Sequence, residues 1–388
     1  MLNIYIYKKA SSLTSISYIL NKDFFSFDLE FDFTDVLDDE LFRLSLLSNP
    51  FNEFNSITIY GVRASNELIQ SFETIFNTSI SCEISISSLP SSENLTSIDE
   101  ENSNIILGFS GGFDSLAAKA LLPTAQLVSI DFGGNFAREA NFFKKFKTNI
   151  CKWDLRSHRL NFLNRYNESL NWRFMLAPAC LLRKHQKHAV IATGTILEAS
   201  PFWMNPKPRE QIKTLPNFAF GKGIALINPV SGLTEYSTAK IVLESNTPHI
   251  VDESLSSLAS PNSFKYFRKI CLLAAIKNDK NLVLNRPNTM HKLGSSFADD
   301  FLTLYLCWKF GIDWVKEFYC SNIPSNITIH NMEFIEKVNS NNMLLISNPF
   351  NGILLDRINH YGIPEYNSID YSNLRAVFEQ LTTKNFTN

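Results

Sequence analysis

From Ile105 onward, short apolar runs alternate with amphipathic helical stretches: IILGF, DSLAAKALL, QLVSIDF, AREANFFKKF and NICKWDL. The rhythm continues with a helix around FMLAPACLLRKHQ, the run HAVIATG, the run GIALINPV and the helix TEYSTAKIVLE. Apolar runs too short for helices, and without polar alternation, suit strands buried on both faces. Their alternation with helices predicts an α/β fold, a doubly wound parallel sheet. Ligands of such sheets bind just beyond the carboxyl ends of the strands, so the residues after each run are the ones to weigh for function.

The flanks read differently. Residues 1–90 alternate β-like runs (LNIYIY, FFSFDLEFDF, NSITIYGV, SCEISIS) with two helix-like stretches, DDELFRLSLL and SNELIQSFETIF, which predicts a small N-terminal α/β domain. Residues 91–103 are rich in Ser, Asn and acids and are expected to be a linker between it and the domain spanning 104–251. Residues 252–388 are expected to be a mostly helical C-terminal region, with FADDFLTLYLCWKF its clearest amphipathic segment, packed on the sheet or on a second copy in a homodimer. A chain of 388 residues fits two or three such parts.

Composition narrows the classes. At 45% hydrophobic and 19% charged residues the chain is an ordinary globular one, and its net charge of -2 gives it no broad attraction to nucleic acid. No segment approaches membrane-spanning length and the opening MLNIYIYKKASS lacks the charge-first order of a signal peptide, so a cytoplasmic protein is expected. The six cysteines are scattered, which suggests neither a disulfide framework nor a zinc site.

Within NIILGFSGGFDSLAAKALL, the segment GFSGG fits two templates. As G-x-S-x-G it makes Ser110 a hydrolase nucleophile, which also needs an oxyanion loop such as HGGG, and none precedes it. As SGGFDS it makes a phosphate cradle. Gly111 and Gly112 let successive backbone N–H groups point inward, the following helix adds its positive end, and Ser110 and Ser115 add hydroxyls. Asp114 is placed to cap the helix or to hold magnesium against phosphates, whereas Phe113 has no polar role. The stretch lacks the GK[ST] ending of a P-loop and is not G-x-G-x-x-G.

SGGFDS between a strand and a helix resembles the signature of the PP-loop ATP pyrophosphatases. IDFGGNFARE, IATGTILEAS and NPVSGLTEYSTAKIV resemble further segments of the 7-cyano-7-deazaguanine synthase-like branch, so that the resemblance covers roughly residues 104–267. It implies a HUP-like domain in which ATP is split between its α and β phosphates, AMP passes to a substrate oxygen, and a nucleophile then displaces it. Pyrophosphate would lie on the loop formed by Phe109, Ser110, Gly111, Gly112, Phe113, Asp114 and Ser115. Adenine would lie near Ile130, Asp131 and Phe132, with Gly194 and Thr195 facing the α-phosphate and ribose, and Mg2+ bound at Asp114. Two departures stand out. Of the branch's zinc cysteines only Cys271 remains, so no zinc is expected, and where its proline-led helix begins with a lysine this chain has Glu235, with Lys240 further in.

Other residues carry two readings each. Asp131 is a ribose or metal contact, or a turn residue before Gly133. Glu198, near the end of the fourth strand, binds magnesium or orients the nucleophile, or is an acid on a solvent loop. Among Arg138, Arg156 and Arg173, the last is the favoured catalytic grip on a phosphate or carboxylate. Cys151 and Cys180 are persulfide carriers or core thiols, and PFWMNPKPRE is a lid or an ordinary loop. The expected function is adenylation of a small-molecule carboxylate or ring carbonyl for displacement by a nitrogen nucleophile. The alternatives are sulfur insertion into a nucleobase or related heterocycle, and a non-catalytic nucleotide-binding protein with a protein partner on its N-terminal domain.

Overall fold

The computed structural model describes residues 1–33, 36–51, 54–86, 105–133, 137–154, 173–183, 189–199, 204, 220–283, 287–343 and 350–383. In chain order the elements are β1 (Leu2–Ala10), β2 (Leu13–Leu20), β3 (Asp23–Phe31), α1 (Asp38–Leu47), β4 (Ser56–Ser65), α2 (Asn66–Phe76) and β5 (Ser79–Ile86). Then follow β6 (Ile105–Gly108), α3 (Phe113–Leu121), β7 (Gln126–Asp131), α4 (Ala137–Phe143), β8 (Thr148–Asp154), α5 (Arg173–Cys180), β9 (Ala189–Ala192) and β10 (Ile224–Ile227). The remainder is helical: α6 (Glu235–Ser245), α7 (Pro248–Leu258), α8 (Phe264–Lys277), α9 (Phe297–Phe310), α10 (Ile312–Phe318), α11 (Ser340–Met343), α12 (Phe350–His360) and α13 (Ser368–Thr383). Among the described residues no helix is long and apolar enough to cross a membrane.

The chain groups into two compact units, Met1–Ser110 with Thr124–Thr193 and Gln211–Ile227, and Gly111–Pro123 with Gly194–Glu210 and Asn228–Asn388. The first contains the ten described strands, in one mostly parallel sheet of order β10-β9-β6-β7-β8-β3-β2-β1-β4-β5. In its parallel half, β10-β9-β6-β7-β8, the chain runs outward from β6 through β7 to β8 and then returns to the other side of β6 with β9 and β10. That is the 3-2-1-4-5 order, whose reversal point lies between β6 and β9.

Side-chain alternation shows how this half is covered. Ile106, Val128, Ile191 and Ile224 join a core that includes Phe174, Leu176 and Ala177 of α5. Their neighbours Ile105, Leu107, Leu127 and Val190 are equally buried on the opposite face. There α4 packs on β7, and its Phe142 and Phe143 are buried outside that core. Burial on both faces is why these strands read as unbroken apolar runs. β1 by contrast buries Leu2, Ile4 and Ile6 but leaves Tyr7 exposed, and Tyr5 stacks on Tyr60 with ring centroids 4.7 Å apart.

The first ninety residues, expected as a domain of their own, add five strands to this same sheet. β3 pairs antiparallel with β8, with Leu29 opposite Trp153, and the Phe27 ring lies 5.0 Å from that of Trp153. Without β3 the edge of β8 would expose its backbone hydrogen-bonding groups. The expected linker at 91–103 lies outside the described residues.

The second unit is helical. A core of Leu197, Tyr236, Cys271, Phe301, Tyr305 and Phe334, among others, joins α6, α8 and α9, and α3 packs chiefly on α6. The expected boundary at 251 therefore does not separate α6 from the helices that follow it.

Candidate functional site

β6 ends at Gly108, and Phe109 N–H extends the ladder by donating to the Val128 carbonyl at 2.8 Å. The Phe109 carbonyl is held in turn by Ser129 Oγ at 2.7 Å, while its buried ring packs edge-on against Phe146 at 4.9 Å. Phe109 thus offers backbone to the site and its ring to the core. The chain then turns at Gly111, with φ +80°, and at Gly112, which caps α3 in an extended conformation. A nucleophile elbow places the strain on the serine. Here the positive φ falls on Gly111, and Ser110 has none, which favours the cradle over the elbow.

Inside the second unit the loop is braced. Ser254 Oγ of α7 donates to the Gly111 carbonyl at 2.7 Å, and Ser115 Oγ donates to the Gly112 carbonyl at 2.9 Å. With both carbonyls engaged, the N–H groups at the start of α3, Phe113 and Asp114 among them, keep the outward orientation that helix geometry gives them. Gly194, just past β9, lies against this turn. A Cβ there would meet the Asp114 carbonyl carbon and oxygen at 3.2 Å and the Ser115 nitrogen at 3.3 Å. The neighbouring Thr195 carbonyl accepts from Asn228 Nδ2 at 2.5 Å.

Beside the loop lies a buried charged cluster. Asp114 Oδ1 accepts from Thr238 Oγ1 at 2.9 Å, and burial pushes the Asp114 carboxyl up from its ordinary pKa against the opposing charge of Lys269. Glu235, first residue of α6, receives both Lys269 Nζ and Arg268 Nη2 on its Oε1, the latter at 3.0 Å. Burial alone would raise Glu235, but these two cations outweigh it and hold its pKa below the ordinary value. Arg268 also donates to Asp299 Oδ1 at 2.6 Å. Lys269 Nζ stands 5.0 Å from the centroid of the Phe113 ring.

Glu198 lies in a short 3-10 turn, Leu197–Ala199, only 5% exposed. Its Oε1 accepts from the Glu235 N–H at 2.6 Å, while Oε2 is buried with no hydrogen-bond partner among the described residues. Burial first, and then the charge of Glu235, push its pKa up to about 8. Its burial departs from the solvent-loop reading.

Other expected residues find plainer roles. Asp131 Oδ1 accepts from the Gly133 N–H at 2.9 Å and its Oδ2 faces Lys144 Nζ at 3.8 Å, the geometry of a turn. Ile130 and Phe132 pack on the core of the first unit, Phe132 stacked 5.9 Å from Trp153. Arg173 opens α5, and Arg138 is exposed on α4. Cys151 and Cys180 are fully buried with thiols pushed well above the ordinary range by burial, so neither has the thiolate character of a sulfur carrier. Cys271 is a core residue of α8. Arg156 and PFWMNPKPRE lie outside the described residues, apart from Met204, which is buried.

Sequence reading missed Ser129, Thr238, Ser254, Arg268 and Lys269. Arg268 and Lys269 carried only the weak signal of two adjacent cations directly before the apolar run ICLLAAI. Comparisons of the chain with protein-family models, with curated proteins and with solved structures found no match.

Proposed function

We propose that this chain is an ATP pyrophosphatase of the PP-loop type, with a HUP-like sheet, that adenylates a small-molecule carboxylate or ring carbonyl for displacement by a nitrogen nucleophile. One observation carries the reading. SGGFDS leaves the carboxyl end of β6, at the reversal point of the strand order, and turns through Gly111 into the N-terminus of α3, with Gly194 packed on the same turn.

In this reading the loop amides and the positive end of α3 receive the β- and γ-phosphates, and Ser110 adds its hydroxyl. The acceptor oxygen attacks the α-phosphorus, the bond to the bridging oxygen breaks, and that oxygen leaves with pyrophosphate. The charge gathered on the leaving group is met by donors already in place.

Magnesium suits Asp114, whose Oδ1 is steadied by Thr238, because this ion commonly takes one or two carboxylates and completes its shell with phosphates and water. When bound it would neutralise charge on the pyrophosphate. Among the described residues no group of three His, Cys, Asp or Glu side chains is arranged to hold a metal ion alone, and a single-carboxylate site requires none.

The buried, strongly protonated Cys151 and Cys180 favour the nitrogen nucleophile over sulfur transfer. The test is release of AMP and pyrophosphate from ATP across a panel of carboxylate and heterocyclic acceptors. Asp114→Asn, which keeps the Thr238 contact, is expected to lower pyrophosphate release by roughly a hundredfold. Esterase activity lost in Ser110→Ala, with ATP binding unchanged, would return the hydrolase reading.

A further inference from the structure

We propose that Lys269 is the phosphate-binding lysine of this loop, an ammonium resting on Glu235 beside the first turn of α3 that transfers to a pyrophosphate oxygen when the loop is filled. The inference rests on the loop being a pyrophosphate cradle.

Three observations carry it. The first is place: Lys269 Nζ lies 5.0 Å from the centroid of Phe113, the first residue of α3 and the middle of SGGFDS. The loop itself lacks the lysine that P-loops carry, and α8 brings one to its side. The second is burial. The Lys269 side chain is only 8% exposed, and lysine is almost never buried without a partner.

The third is redundancy. Glu235 Oε1 receives two cations, Lys269 and Arg268, and Arg268 is anchored independently on Asp299. Were Lys269 present only to neutralise Glu235, Arg268 would already serve. Because Arg268 stays, Lys269 can leave Glu235 without stranding a buried carboxylate, the event that makes breaking an ordinary buried ion pair so costly. The face of Phe113 lies beside the ammonium and is attractive to a cation, so the exchange need not cross bare hydrocarbon. A compact ammonium with three donors suits a pyrophosphate oxygen whose direction changes as the bond breaks.

The test titrates magnesium-free inorganic pyrophosphate, and separately ATP, into the full chain by calorimetry. Lys269→Met is compared with Lys269→Met/Glu235→Gln, which removes both ends of the pair so that no charge is left buried alone. Both are expected to bind pyrophosphate roughly ten- to a hundredfold more weakly than the unaltered chain, the loss of one charge-assisted hydrogen bond. Unchanged pyrophosphate binding in both, with weakened binding in Ser110→Ala, overturns the role of Lys269 and leaves the loop reading standing. No binding of pyrophosphate or ATP by the unaltered chain removes the loop reading, and this proposal with it. Should neither variant fold, reductive methylation of the unaltered chain, read by mass spectrometry, decides: slower labelling of Lys269 with pyrophosphate present supports the proposal, and an unchanged rate overturns it.

Discussion

Glu198 holds a proton at neutral pH because burial and the adjacent Glu235 make its charged form costly, and this has a measurable consequence. Below about pH 4.5 the group is protonated in the folded and the unfolded chain alike. Between there and about pH 8 only the unfolded chain gives up the proton, so stability falls as pH rises through that window. Above that window the loss levels off. Glu198→Gln keeps the acceptor for the Glu235 N–H and removes the titration, so chemical denaturation across this window should show a flatter pH profile and a more stable variant at the alkaline end. Gly194 is constrained by space in the same neighbourhood. Gly194→Ala would press a methyl on the Asp114 carbonyl and Ser115 nitrogen, backbone atoms that can move only with the turn. It is expected to cost about 1–3 kcal/mol in urea unfolding and to weaken pyrophosphate binding together with stability.

Among the elements, α3 is the one on which the site depends, since its capping glycine, its braced loop and its contact with Gly194 all concern one turn. α1 contributes a different kind of support within the first unit. Its Arg43, 1% exposed, donates to the Phe220 and Lys222 carbonyls, the latter at 2.6 Å, and pairs with Glu40 at 3.3 Å. Glu40 also accepts from Arg183 Nη1 at 2.8 Å. This guanidinium therefore fixes the segment that leads into β10 from a helix far earlier in the chain. Arg43→Met leaves two carbonyls without their donor while Glu40 keeps Arg183, for an expected loss of about 2–6 kcal/mol in urea denaturation.

For the molecule as a whole, the governing fact is that one sheet joins the N-terminal strands to the parallel strands β6 to β10 through β3 and β8. Deleting residues 1–86 would expose the β8 edge and uncover Trp153 and the α5 side of the core. The truncated chain is expected to be insoluble or to lack a cooperative thermal transition, measured by circular dichroism. A soluble, cooperatively melting fragment would show that the half of the sheet from β6 to β10 folds alone. Much of this architecture was legible beforehand. Strands buried on both faces wrote themselves as IILG, QLVSI and AVIA, and the glycine pair after the first of them marked the turn into α3, because local geometry leaves a local trace. The Ser129, Ser254 and Thr238 contacts left none, since a serine or threonine on a strand or helix looks the same whether or not a distant carbonyl or carboxylate lies opposite.

What the sequence determined by itself was periodicity and turn chemistry: which runs become strands, where a helix must start, and that Gly111 can take a positive φ. What only the tertiary structure decided was partnership across long separations. Strand order, the union of β3 with β8, the protonation of Glu198 and the meeting of Lys269 with Glu235 all follow from burial and proximity, which arise when distant segments exclude water from one another.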